Sequence, residues 1–205
     1  MRIISIYDLF DHGGIASSET GSAVLEEIDS CIRAVVWPPG SDKFTIFPES
    51  GKKRGEGNGV KPIKDMFAVE AEARDWVLEA KFPIETLDDE SNFGPMDASK
   101  KTELGLAVVE WETGNISSSH RAMNKMGIGL IDGRIVIGVL IVPTTAFAKY
   151  LTDRIGNLKE LKPYFRLWAN LSVGRGLLRI YAVQHDEESF DVERITKGTD
   201  GRARS

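Results

Sequence analysis

Leu104-Gly105-Leu106-Ala107-Val108-Val109-Glu110-Trp111-Glu112, running directly into Thr113-Gly114-Asn115, decides how this chain folds. Side chains alternate along a strand, so Leu104, Leu106, Val108, Glu110 and Glu112 share one face. That face begins as core and finishes as a pair of acids. Apolar residues on both sides mark a central strand covered by helices rather than a sheet edge. Two carboxylates at the mouth of a buried strand repel each other and resist desolvation unless a cation meets them. A divalent metal is the simplest such cation; the alternative is a salt bridge to Arg121 or Lys125 just downstream.

Around this strand the sequence reads as an α/β layout. A second stretch apolar on both faces, residues 134–142, is ended by Pro143, and a helix over 117–130 separates the two. Strand, helix, strand implies a parallel crossover. Upstream, residues 2–7 read as a short strand and 8–20 as a loop around His12-Gly13-Gly14. Residues 21–36 then form a helix with Val24, Leu25, Ile28, Ile32 and Val35 at helical spacing, stopped by Trp37-Pro38-Pro39-Gly40. Residues 43–47 suggest a strand and 49–59 a polar, Gly-rich loop. Pro62 opens a helix to about residue 76, followed by a strand at 77–82. Residues 86–101 are irregular and acid-rich. Helices over 144–154 and 158–170 precede a closing strand at 177–183. With 205 residues, no linker and no internal repeat, a single domain spanning 1–205 is expected.

Composition narrows the function classes. The chain is 41% hydrophobic and 28% charged, and no apolar run approaches the roughly 20 residues of a membrane span. The N-terminal residues lack a signal-peptide pattern, and the one cysteine, Cys31, excludes an internal disulfide framework; both point to the cytoplasm. Cys31 falls in a helical apolar pattern and reads as a packed thiol. His12, His120 and His185 are too scattered for a zinc site. A net charge of −5 argues against a protein that merely coats nucleic acid, but not against an enzyme that collects acids around metal. The basic residues Arg194, Lys197, Arg202 and Arg204 read as a solvated tail.

Glu110 and Glu112, two apart on one face, offer hard oxygen donors suited to Mg²⁺ or Mn²⁺. A third carboxylate is expected from a neighbouring segment. Asp97, thirteen positions before Glu110, is the best candidate if Met96-Asp97-Ala98 is the preceding strand of a hairpin; Asp88, Asp89 and Glu90 are its rivals. Next come Asn115-Ile116-Ser117-Ser118-Ser119-His120-Arg121, where Ser117 or Ser118 can cap a helix whose N-terminus favours anions. Arg121 and Lys125, four apart, share a helix face. Acids for metal followed by an anion-binding helix start suit a phosphodiester. His120 is either a phosphate contact or an exposed histidine, Lys61 and Lys64 either meet a DNA backbone or are solvated, and His12 is a further candidate, approaching from the first strand. Gly55-Glu56-Gly57-Asn58-Gly59 is not a nucleotide-binding loop, because no Gly-Lys-Ser/Thr follows. Trp37, Trp76, Trp111 and Trp168 read as core.

In this order the parts resemble the BglII branch of the type II restriction endonucleases, within the PD-(D/E)xK nuclease fold. The carrying residues are Gly57-Asn58-Gly59-Val60-Lys61-Pro62-Ile63-Lys64, then Trp76-Val77-Leu78-Glu79, an acid, Val109-Glu110-Trp111-Glu112-Thr113-Gly114-Asn115, and Arg121 with Lys125. The likeness covers about residues 55–142 and lies in order and spacing rather than in any one motif. It implies a mixed central sheet flanked by helices. It also implies Asp97 as first metal ligand, Glu110 as second, the Trp111 carbonyl completing the shell, and Glu112 where lysine commonly stands. The gap between Asp97 and Glu110 is longer than the pattern. The resemblance further implies one or two Mg²⁺ per site, a metal-activated water attacking phosphorus, and a homodimer on palindromic double-stranded DNA. A cognate DNA methyltransferase is expected in the same system, with DNA contacts from Asn115, Ser117, Ser118, His120, Arg121 and Lys125. The alternatives are a less specific nuclease of repair or recombination, or an inert DNA-binding protein of the same fold.

Overall fold

A computed structural model describes residues 1–51, 53, 55–81, 94–152 and 155–197. Its elements are β1 (Arg2–His12), α1 (Glu19–Ala34), β2 (Thr45–Ile46), α2 (Lys61–Glu72), β3 (Val77–Ala80), β4 (Met96–Thr102), β5 (Gly105–Trp111) and α3 (Ile116–Ile131). They continue with β6 (Ile137–Pro143), α4 (Thr145–Ala148), α5 (Leu158–Leu161), α6 (Phe165–Trp168), β7 (Gly176–Gln184) and β8 (Glu187–Glu188). Six strands make one mixed sheet in the order β1-β7-β6-β5-β4-β3, and β2 pairs with β8 apart from it. The middle strands β5, β6 and β7 are parallel, whereas β1, β4 and β3 run antiparallel to their neighbours. Helix α3 is the crossover that a parallel β5–β6 pair requires.

Both faces of the centre of this sheet, along β5, β6 and β7, are buried, as the two-sided apolar strands demand. Ala107, Val109, Trp111, Val139 and Ile141 pack toward the cluster that holds Ile28, Ile32 and Phe67 of α1 and α2. Val108, Leu140, Val142 and Ile180 pack toward Met123, Met126 and Trp168. Leu106, Val108 and Glu110 share the α3 side, as alternation requires. Leu104 instead lies in the β4–β5 hairpin turn and joins the opposite cluster, because its backbone has left the pleat.

Several expected boundaries shift for identifiable reasons. Strand β1 runs on to His12 because it pairs along its length with β7; its burial alternates as far as Leu9, but the outward positions hold Ile4 and Ile6, so the residue types do not show the pattern. Residues 96–102, read as irregular to 101 but with Met96-Asp97-Ala98 offered as a hairpin strand, form β4, and the hairpin with β5 is present. The helix expected over 158–170 is interrupted by a 3-10 turn at Lys162–Tyr164, where Pro163 lacks an N–H and obstructs the preceding turn. The helix expected over 144–154 stops at Ala148, and the Lys149 and Tyr150 carbonyls accept from the Gly51 and Asn58 amides instead. Asn58 itself is fully buried: its Nδ2 donates to the carbonyls of Phe47 and Tyr150 and its Oδ1 accepts from the Ile195 amide. The Gly-rich loop is thus a structural staple. Cys31 is buried, as expected. Among the described residues no helix is long and apolar enough to cross a membrane.

Candidate active site

The site forms where β4 and β5 end beside α3. Hairpin register pairs Ala98 with Val109, and one further step sets Asp97 across from Glu110. Asp97 is fixed by two bonds: Oδ2 accepts from the Trp111 amide at 2.8 Å, and Oδ1 accepts from Lys64 Nζ, on α2, at 2.9 Å. Glu110 is buried, and Lys125 Nζ lies 2.5 Å from its Oε1 while donating to the Pro95 carbonyl at 2.8 Å. Trp111 turns the other way, into the core against Phe67, and anchors the strand between the two acids. A cleft of about 430 Å³ opens here, with Asp97, Glu110, Glu112 and Lys64 facing Ser118 and Arg121 of α3. The Cβ of any residue at 114 would fall 2.6 Å from Ser118 Oγ, so Gly114 lets the chain turn tightly from the acids into the helix.

Electrostatics single out the two glutamates. Burial and then the charge of Asp97 push the Glu110 carboxyl up, against the opposing pull of Lys125. Burial and the charge of Glu110 push Glu112 up to about 7, with Lys64 and Arg121 opposing. Burial works against the Lys64 charge, but Asp97 outweighs it and holds the ammonium above its usual value. Among the described residues Glu112 makes no side-chain hydrogen bond or ion pair. The three acids line one cleft without closing on a point: among the described residues no three His, Cys, Asp or Glu side chains are gathered tightly enough to hold an ion. The donor set nevertheless fits a hard dication, since only oxygen donors are offered and the Glu112 anion is poorly compensated. The salt bridge considered as an alternative to metal is also present, at Lys125–Glu110.

The model of the restriction endonuclease BamHI family matches residues 1–202. The chain belongs to that family. It is accordingly a type II restriction endonuclease, as its relatives are named. The enzyme OkrAI of Oceanobacter kriegii is 41% identical over 203 residues, covering 99% of each chain. BamHI of Bacillus amyloliquefaciens is 34% identical over 183 residues, covering 87% of this chain and 81% of its own. The fold is also that of the BglII endonuclease, solved as a complex with a DNA 16-mer, with a TM-score of 0.58 at 12% identity over 91% of this chain and 79% of that one.

In this BamHI-family chain the helix start is built differently from the sequence expectation. Asn115, not Ser117 or Ser118, caps α3, its side chain accepting from both serine amides. Ser118 and Arg121 line the acidic cleft, whereas Ser117, His120 and Arg121 border an adjoining depression of about 590 Å³ with Asn124 and Tyr164. His120 stacks edge-on against Tyr164, with ring centroids 4.3 Å apart, and lies beside Trp168. Lys125, expected at a phosphate, is turned inward onto Glu110. His12 is not brought to the cleft; its Nδ1 lies 2.8 Å from the Val173 carbonyl. Lys61 pairs with Asp65 on the same helix. Asp88, Asp89 and Glu90 lie outside the described residues. Lys64, read from the sequence as either a DNA-backbone contact or a solvated residue, instead lines the acidic cleft and pairs with Asp97. The signal was there: Pro62 places Lys64 in the first turn of a helix rather than in the loop.

Proposed function

We propose that this restriction endonuclease is a Mg²⁺-dependent homodimer that cleaves both strands of a palindromic double-stranded DNA site. The observation that supports it is the meeting of Asp97, Glu110 and Glu112 in one cleft opposite Ser118 and Arg121. Asp97, Glu110 and the Trp111 carbonyl would hold the metal, one or two ions per site. When bound, it supplies a lowered pKa for the attacking water and charge stabilisation on the phosphate. The protein does the rest. Glu112, with its carboxyl near neutrality, orients that water and accepts a proton from it. Arg121 meets the phosphate from the helix wall, with Ser117, Ser118 and His120 as further DNA contacts. Asn115 occupies the first free amides of α3, so recognition of the anion falls to side chains rather than to backbone N–H groups.

Symmetric DNA asks for two identical readers. Ile128 and Ile131, three apart on α3, and Leu167 on α6, 60% exposed, leave the kind of apolar surface that an isologous contact covers. A methyltransferase of matching specificity is proposed to protect the host site. Incubation of DNA of known sequence with Mg²⁺ tests the reading: discrete fragments, abolished by EDTA, are the expected result. A smear supports a less specific nuclease, and no cleavage an inert DNA-binding protein. Sedimentation of the purified protein tests the dimer.

A further inference from the structure

Two lysines reach the acids from different helices, and they are held differently. Lys125 and Glu110 are nearly enclosed, with side chains 5% and 9% exposed, and Lys125 is tied a second time to the Pro95 carbonyl. That pair is part of the framework. Lys64 and Asp97 are 41% and 22% exposed, and their contact faces the open cleft. The remaining oxygen of Asp97 is bonded to the Trp111 amide, so the edge that a metal would use is the edge Lys64 occupies. Around this ammonium stand Asp97 of β4, Glu110 and Glu112 at the end of β5, and Lys125 and Arg121 of α3. An ammonium and a dication cannot share one carboxylate edge without strong repulsion, and a lysine stem is long and flexible enough to move away.

We propose that Lys64 is an exchangeable counter-ion. It neutralises Asp97 in the metal-free protein, leaves when a dication takes that carboxylate, and then presents its ammonium to a phosphate oxygen of the bound DNA. The proposal rests on the metal reading above. It gives the site a movable cation from α2 beside the fixed Lys125 of α3.

The test compares wild type, Lys64→Met, Lys64→Arg and Asp97→Asn, titrated with Mn²⁺ and followed by loss of the free-ion paramagnetic resonance signal. Lys64 is exposed enough for these changes to leave the fold intact. Removing the competing charge should tighten Mn²⁺ binding by Lys64→Met about tenfold, whereas Lys64→Arg should stay near wild type. The metal-free Lys64→Met protein should melt below wild type, and Mn²⁺ should raise its melting temperature by more. At saturating Mn²⁺ it should cleave DNA more slowly than wild type. Equal or weaker Mn²⁺ binding by Lys64→Met, with wild type binding normally, overturns the counter-ion role alone. No Mn²⁺ binding by wild type, or undiminished binding by Asp97→Asn, overturns the metal reading and the proposal with it.

Discussion

Strands β5 and β6 lie side by side, parallel and in register, with Glu110 beside Leu140 and Trp111 beside Ile141. Strand β6 is buried from Ile137 to Pro143 and ends as apolar as it began. Strand β5, exposed at Gly105 and buried from Ala107, carries Glu110 as its penultimate residue and runs on into Glu112. The difference separates packing from chemistry at neighbouring positions of one sheet. Leu140 needs only a cavity of the right shape. Glu110 is met by a buried lysine, and Glu112 is an acid whose carboxyl, pushed up to about 7, no side chain pairs with among the described residues.

The sharpest way to break this contrast is Glu110→Ala. DNA cleavage should fall roughly 10³-fold, the scale of losing one preorganised charged group, while DNA binding measured by gel shift is largely kept. Retained cleavage would remove Glu110 from the site. The same change strands Lys125 in the interior and should lower unfolding stability by about 3 kcal/mol. Adding Lys125→Met should recover most of that stability without restoring cleavage. Leu140→Ala tests the other strand: a loss of about 3 kcal/mol in denaturant unfolding is expected, with cleavage by the folded fraction kept.

A finer test uses pH. Glu112 holds its proton more tightly in the folded protein than in the unfolded chain, because its carboxyl is raised from 4.5 to about 7. Its contribution therefore favours the metal-free fold least above pH 7; stability declines as pH rises through the window from 4.5 to about 7. Metal-free Glu112→Gln lacks this loss, so it should exceed wild type by about 2 kcal/mol near pH 8 and converge with it near pH 4. A gap that is constant with pH would refute the assignment. The smallest effect is Asn115→Ala, expected to lower stability by about 1 kcal/mol through loss of the α3 cap.

What could be read in advance followed the strength of local physics. Two-sided apolar strands and the crossover helix gave away the centre of the sheet, and the paired glutamates marked the end of one strand. Asp97 was reachable only through the hairpin, since its role depends on cross-strand register rather than sequence distance. The length of strand β1 hid behind Ile4 and Ile6, apolar residues at outward positions, and the break at Pro163 mattered more than the helical periodicity around it. The inward turn of Lys125 could not be told from an outward one, because a lysine four residues after Arg121 fits either surface or interior until its partner is placed. Lys64 was obscured for the converse reason: its partner lies 33 positions away, on another element.

The hairpin between β4 and β5 turns at Thr102–Gly105, at the end of the strands remote from Asp97 and Glu110, roughly 20 Å off at strand rise. Glu103 there is exposed. The placing of Asp97 across from Glu110 does not depend on how many residues make that bend, so long as the two strands stay paired. The turn is therefore the natural attachment point for a fluorophore or grafted peptide, where a reporter can ride on the enzyme's central hairpin without entering its cleft.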